Sequence, residues 1–305
     1  MIICEKVNMP LKIGILSRDR RLYTTRRLIW SAKDLGHDPI FIDTLACGLM
    51  IDDDKYPVFY EDENMGQVDI LLTRVGTSIT EYGLAVVRHF EMRGIPTVNS
   101  SQAIADSRDK FRCLQILSKH NVKVPKTVLT RSPAMTLRSV QLLGGPPIIL
   151  KMIQGTQGIG VILADSKETA ESILETFWGL GHDIQIQSFI KESKGKDIRA
   201  FVIGDEVVAA MMRQSKTGEF RANIHRGGEG KPFELDKVQE EVALKTAKVL
   251  GLKIAGIDML ETKNGPVVIE ANSSPGFEGL EGATEIDIAR KIIEYLVDYY
   301  KESKR

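Results

Sequence analysis

The chain has 305 residues, 43% of them hydrophobic, and its 41 Lys plus Arg are balanced by 41 Asp plus Glu. That length suits two or three modest domains, and the neutral balance argues against strong direct nucleic-acid binding. No apolar run is long enough to span a bilayer, so no membrane partner is expected.

Residues 1–10 lack the apolar core and cleavage site of a secretory signal and read as an N-terminal extension. Cys4, Cys47 and Cys113 show no metal-ligand spacing and are expected to be reduced, structural thiols of a cytoplasmic protein. From Leu11 to about Ser100, short apolar runs (Lys12 to Leu16, Pro39 to Asp43, Val68 to Thr73, Thr97-Val98) alternate with amphipathic segments. Leu22, Leu28, Ile29, Ala32 and Leu35 recur at helical spacing before Gly36, which predicts a βαβ unit and a small parallel sheet. Gly14 stands alone after the first strand, without the further glycines of a dinucleotide-binding turn.

A second unit opens near Ser101. A helix is expected over Arg108 to Asn121, then strands over Lys126 to Leu129 and Pro147 to Lys151. The glycine-rich stretch Gly155 to Gly160 follows, then a strand from Val161, a helix marked by Ala170, Ile173, Leu174 and Phe177, and a strand from Asp183 to Ile190. The last unit begins with a hairpin, Asp197 to Ile203 and Glu206 to Met212, turned at Gly204-Asp205. A polar stretch from Gln214 to Lys231 is too long for a simple connection. Helices over Leu235 to Leu250 and Asp287 to Tyr300 flank a second hairpin.

That second hairpin carries the strongest chemical signal. Asp258 interrupts one apolar run, and Glu270 and Asn272 interrupt the other two residues apart, on one face of a strand. If Lys263, Asn264 and Gly265 all form the loop, Asp258 lies opposite Glu270, and three oxygen-bearing side chains share a face as a magnesium site requires. A two-residue loop shifts the register by one and turns Asp258 away. An ion pair to Arg or Lys is the alternative partner for these acids, because isolated charges in apolar strands cost several kcal/mol.

Upstream, Lys151 ends a strand of apolar residues just before the glycine loop, and Lys110 stands in the first turn of a helix. Glycine amides approach phosphate oxygens closely, although Gly155 to Gly160 lacks the Lys-Ser or Lys-Thr of a Walker loop. Arg199, Arg213, Arg221, Asn223, His225 and Arg226 supply donors for an anionic substrate.

Together these features resemble the ATP-grasp ligases over nearly the whole chain. Within them the chain is most similar to the RimK-type ligases, which add glutamate to a small-subunit ribosomal protein. The resemblance rests on Ile15 to Asp19, Arg74 to Thr80, Phe90-Glu91-Met92, Arg108-Asp109-Lys110, Gly155 to Val161, Asn223 to Gly228 and Asn272 to Gly276. It implies an α/β (α+β overall) ATP-grasp fold with a Rossmann-like parallel-sheet domain over 11–100. A central lid subdomain over 101–190 and a C-terminal antiparallel-sheet subdomain over 191–305 would follow.

The resemblance further implies ATP phosphates on Lys110 and Lys151, covered by a lid of Gly155, Thr156, Gln157, Gly158 and Gly160. Ser188 and Phe189 would meet the base and Asp197 the ribose, with Arg221, Ala222 and Asn223 lining the nucleotide and substrate side. Arg213, Arg221 and Asn223 would serve catalysis, and Asp258, Glu270 and Asn272 would hold two Mg2+ (or Mn2+), Glu270 bridging. Ser188 departs from the Glu common in relatives, and residues 1–10 have no counterpart. The implied substrates are L-glutamate and the C-terminus of a small-subunit ribosomal protein, and a homo-oligomer is expected. A ligase for a small-molecule or carrier acceptor and a non-catalytic nucleotide sensor are the competing readings.

Overall fold

The computed structural model describes residues 9–61, 63–153, 160–193, 195–215 and 229–305. By internal contacts the chain divides into one unit of Met1–Ser101 with Asp287–Arg305 and another of Gln102–Ile286.

The first unit contains β1 (Lys12–Ser17), α1 (Tyr23–Asp34), β2 (Asp38–Asp43), β3 (Cys47–Leu49), β4 (Val58–Tyr60), β5 (Glu63–Asn64), β6 (Ile70–Thr73), α2 (Thr80–Met92) and β7 (Thr97–Val98). The expected parallel sheet is present, in the order β2-β1-β6-β7. All four residues of β6 are buried, as in a parallel strand covered on both faces. An antiparallel ribbon β3-β4-β5 was not expected, because strands this short carry almost no alternation to detect.

The second unit runs through α3 (Ser101–Arg108), α4 (Lys110–Lys119), β8 (Thr127–Leu129), α5 (Thr136–Leu142), β9 (Ile148–Met152), β10 (Val161–Ala164), α6 (Lys167–Gly179) and β11 (Ile184–Ser188). It continues with β12 (Lys196–Ile203), β13 (Glu206–Gln214), β14 (Glu229–Pro232), α7 (Lys237–Val249), β15 (Ile254–Leu260), β16 (Val267–Asn272) and α8 (Glu278–Thr284). The helix expected over Arg108 to Asn121 is present as α4, and the helix α3 that precedes it was not expected. Asp109 is the N-cap of α4, its Oδ1 accepting from the Arg112 amide at 2.9 Å, and α3 ends at Arg108.

The antiparallel sheet β10-β9-β11-β8 packs Ile148, Leu150, Ile184 and Ile186 against Val140, Ala170 and Leu174 of α5 and α6. Alternation turns Ile149, Lys151, Gln185 and Gln187 to the opposite face. The other sheet, β14-β13-β12-β15-β16, buries Ile198, Ala200, Ile257, Met259 and Ala271 with Leu117, Ala243 and Ala247 of α4 and α7. Its opposite face carries Asp197, Arg199, Arg213, Asp258 and Glu270.

The register of the β15–β16 hairpin gives the expected pairing by an unexpected route. Asp258 does lie opposite Glu270. The turn, however, closes with Gly265 N donating to Thr262 O at 3.0 Å, so Lys263 and Asn264 alone are its central residues. Leu260 accordingly pairs with Val267 and Met259 with Val268, the register of a two-residue loop. A bulge at Ile269 then shifts the ladder by one and restores Asp258 to the face of Glu270.

Gly256 lets the loop after β16 lie directly on β15, since an added Cβ would stand 2.8 Å from Pro275 Cβ. Gly256→Ala is therefore expected to cost about 1–3 kcal/mol by overpacking, read as a lowered urea midpoint. An unchanged midpoint would show that the loop gives way freely.

Cys47 and Cys113 are each 3% exposed, and burial is the main cause pushing both thiols up to about 12. Raised from the ordinary 9.0, they favour folding fully below pH 9 and lose that contribution as pH climbs toward about 12. Native protein treated with iodoacetamide at pH 8 should remain unmodified at both positions and react fully in guanidinium, as read by peptide mass. Rapid native labelling of either would contradict the burial.

The chain ends in α9 (Ile288–Ser303), which returns to the first unit. Asp287 caps it, accepting from the Arg290 amide at 2.9 Å. Its stripe of Ile292, Ile293, Leu296 and Val297 is buried, and Arg290 bonds Asp34 of α1 at 2.9 Å. Chain order alone had placed this helix with the C-terminal sheet.

Candidate active site

Three adjacent strands place their charged residues in a row. Asp197 and Arg199 are two apart on β12, with Arg213 of β13 opposite Asp197 and Asp258 of β15 opposite Arg199. Glu270 extends the row on β16, and Asn272 lies beside it opposite Gly256. A second bulge produces this arrangement. Val202 pairs with Val207 but Phe201 with Ala209, so Asp197 meets Arg213 rather than Met212.

The pairings are tight and buried. Arg199 Nε donates to Asp258 Oδ1 and Nη2 to Oδ2, both at 2.7 Å. Arg213 donates to Asp197 through Nε at 2.6 Å and Nη2 at 2.9 Å, and its Nη2 stands 3.0 Å from Asp258 Oδ2. The ion-pair alternative for Asp258 is thus realised. Arg213, expected to serve catalysis, is 6% exposed and held by two carboxylates.

Burial acts to raise the Asp258 carboxyl, but Arg199 and Arg213 outweigh it and hold the group below its ordinary value. At Asp197 burial prevails over Arg213, and the carboxyl is raised. Burial opposes the charge on Arg213, and the two carboxylates more than compensate.

The expected phosphate lysines come to the same region. Lys151 of β9 and Lys110, the first residue of α4, are both pushed below the ordinary lysine value by burial, with Glu270 working against that shift. Lys110 Nζ donates to Ile153 O at 3.3 Å, at the residue where the glycine stretch begins to leave the strand. Arg108, at the end of α3, is also lowered by burial and supported by Glu270. Three cations thus share the influence of one carboxylate, an excess of positive charge that favours an anion. Arg108 was not singled out as a site residue, because its sequence context is a helix end and its burial is tertiary.

Ser188 ends β11, and its amide donates to Lys126 O at 3.0 Å. Any backbone contact to a base there falls to the Ser188 carbonyl or to half-buried Phe189. Gly160 is described, with φ +78° and Met152 Sδ only 2.7 Å from where a Cβ would stand, so a side chain is excluded. Gly155, Thr156, Gln157, Gly158, Arg221, Ala222 and Asn223 lie outside the described residues, as do His225 and Arg226.

The donor set suits a hard cation that is completed by phosphate oxygens. Asn272 Nδ2 donates to Gly256 O at 3.4 Å, which leaves Oδ1 as its ligating atom beside the Glu270 carboxylate. Among the described residues no group of three or more His, Cys, Asp or Glu could hold a metal by itself. Magnesium characteristically takes one or two carboxylates with substrate phosphates rather than a full protein cage. Among the described residues, no helix is long and apolar enough to cross a membrane.

Family models match almost the entire chain. The RimK PreATP-grasp domain covers residues 11–104 and the RimK-like ATP-grasp domain residues 107–296. A probable alpha-L-glutamate ligase of Vibrio vulnificus is 47% identical over 286 residues, 94% of this chain and 95% of that protein. One from Pseudomonas paraeruginosa is 46% identical over the same length and shares. Among solved structures, the ATP-grasp ligase PsnB complexed with its minimal precursor superimposes with TM-score 0.75 at 20% identity, over 95% of this chain and 99% of that one. PsnB has also been solved with minimal precursor, Mg and ADP (TM-score 0.73, 19% identity, 95% and 98% covered).

Proposed function

The chain belongs to the RimK-like ATP-grasp family, and on that premise we propose that it is an ATP-dependent α-L-glutamate ligase. Its acceptor is the C-terminal carboxylate of a small-subunit ribosomal protein in the cytoplasm. The observation that carries this reading is that Lys110, which reaches the backbone at Ile153, and Lys151 both feel the charge of Glu270, which shares β16 with Asn272. It supplies half-buried cations for phosphate oxygens and a carboxylate-amide pair for a cation.

The chemistry follows from what must be activated. A carboxylate oxygen attacks the γ-phosphorus of ATP, the bond to the β-phosphate oxygen breaks, and ADP leaves from a mixed acyl phosphate. The glutamate amine then attacks the acyl carbon, releases inorganic phosphate and loses a proton as the amide forms. Lys110 and Lys151 hold the phosphates and stabilise departing ADP. Asp197 faces the ribose, Ser188 and Phe189 the base, and the stretch Gly155 to Gly160 covers the phosphates. Arg221 and Asn223 orient the acceptor, and Arg213 braces the carboxylates that shape the pocket. Glu270, Asn272 and Asp258 would hold two Mg2+ (or Mn2+), which supply neutralisation of phosphate charge. PsnB, solved with the precursor peptide PsnA2, motivates a peptide acceptor over a small molecule.

The test is incubation with ATP, glutamate and the ribosomal protein, followed by intact mass. Successive additions of a glutamyl residue, dependent on ATP and on a free C-terminus, are expected. ADP formation only with a small-molecule acceptor would move the assignment to the small-acceptor ligases. ADP binding without any turnover would favour a nucleotide sensor.

A further inference from the structure

Asp258 is far more committed to the protein than a metal ligand need be. Arg199 grips both its oxygens at 2.7 Å, and Arg213 adds a contact at 3.0 Å. A carboxylate offers about four lone-pair positions, so these donors leave roughly one. Arg199, Arg213 and Lys151 act on Asp258, and Arg108, Lys110 and Lys151 on Glu270, so five positive charges stand against the four carboxylates Asp109, Asp197, Asp258 and Glu270. A divalent cation arriving alone meets Glu270, Asn272 and a fraction of Asp258 within an excess of positive charge. A nucleotide polyphosphate reverses that balance and brings oxygen ligands of its own.

We propose that Arg199 is a positioning residue. Its two-pronged hold on Asp258 keeps the cation site from closing on protein oxygens alone, so that a divalent cation binds only together with a nucleotide polyphosphate. The inference rests on the nucleotide-binding reading above. It assigns to one arginine the coupling between the two ligands, and by linkage that coupling is reciprocal: ADP binds more tightly with the cation and the cation more tightly with ADP. Arg213 cannot substitute for Arg199, because its fork already serves Asp197.

The experiment is a Mn2+ titration of the full chain, with free Mn2+ read by electron paramagnetic resonance, without and with saturating ADP. The wild-type protein is expected to bind Mn2+ at least about tenfold more tightly with ADP than without, the scale on which residues supporting a metal ligand act. Arg199→Gln keeps a neutral donor and should raise the nucleotide-free Mn2+ affinity by about tenfold, shrinking the effect of ADP. A gain of metal binding is something a merely structural lesion does not produce.

Wild type binding Mn2+ equally well with and without ADP would overturn the inference, as would a folded Arg199→Gln with unchanged nucleotide-free affinity. If that variant does not fold, Arg199→Lys, which grips one oxygen only, must show a smaller gain in the same direction; no gain would overturn the inference. Wild type that binds no ADP even with Mn2+ present, by calorimetry, would instead sink the underlying nucleotide reading.

Discussion

Asp258→Ala is expected to lower the unfolding free energy of the Gln102–Ile286 unit by about 3–5 kcal/mol, the usual cost of removing one partner from a buried ion pair. The carboxylate is 3% exposed and accepts from two arginines, so its loss leaves Arg199 without its partner and Arg213 with Asp197 alone. A buried guanidinium and a half-buried one are then left with one carboxylate, Asp197, which among the described residues pairs only with Arg213. Urea unfolding followed by circular dichroism should show a lower midpoint with little change in slope.

The interpretation is checked by a double-mutant cycle. Arg199→Leu with Asp258→Leu should cost well under the sum of the single changes, because two apolar side chains leave no unpaired charge on that pair. An Asp258→Ala midpoint indistinguishable from wild type would mean that water reaches the arginines and that the row is not buried as described.

What the chain declares locally and what it leaves to distant partners separate cleanly at this site. The parallel sheet and both hairpins follow from apolar runs and glycine stops, which depend on neighbours a few residues away. The face carrying Asp197, Arg199, Asp258, Glu270 and Asn272 also follows, since residues two apart on a strand share a side. The cross-strand partners do not. Asp197 meets Arg213 only because Val208 is bulged, and Asp258 meets Glu270 only because Ile269 is. Neither residue differs in type from its unbulged neighbours, so periodicity has nothing to register.

The placement of α9 has the same character. Its apolar stripe announces that it is buried, whereas the surface receiving it is chosen by complementary side chains on α1 such as Asp34. Likewise the start of α4 is set by Asp109, whose side chain serves the Arg112 amide, a local cap that helical spacing overlooks.

The largest effect on activity is expected at Glu270. The Gln substitution preserves size and one acceptor oxygen on a half-buried strand position, so the unit should keep its unfolding midpoint within about 1 kcal/mol, as for substitutions that make no cavity. What disappears is the charge that supports the cationic forms of Arg108, Lys110 and Lys151 against their burial. A cation clamp on phosphate contributes several kcal/mol to such a transition state, which converts to about a thousandfold loss of ADP release at saturating substrates. Raising Mg2+ should restore little, because the lost carboxylate also keeps the lysines and Arg108 from repelling one another. Turnover of Glu270→Gln within about tenfold of wild type, on protein with a wild-type melting curve, would place the cation site elsewhere and remove the central support for the ligase assignment.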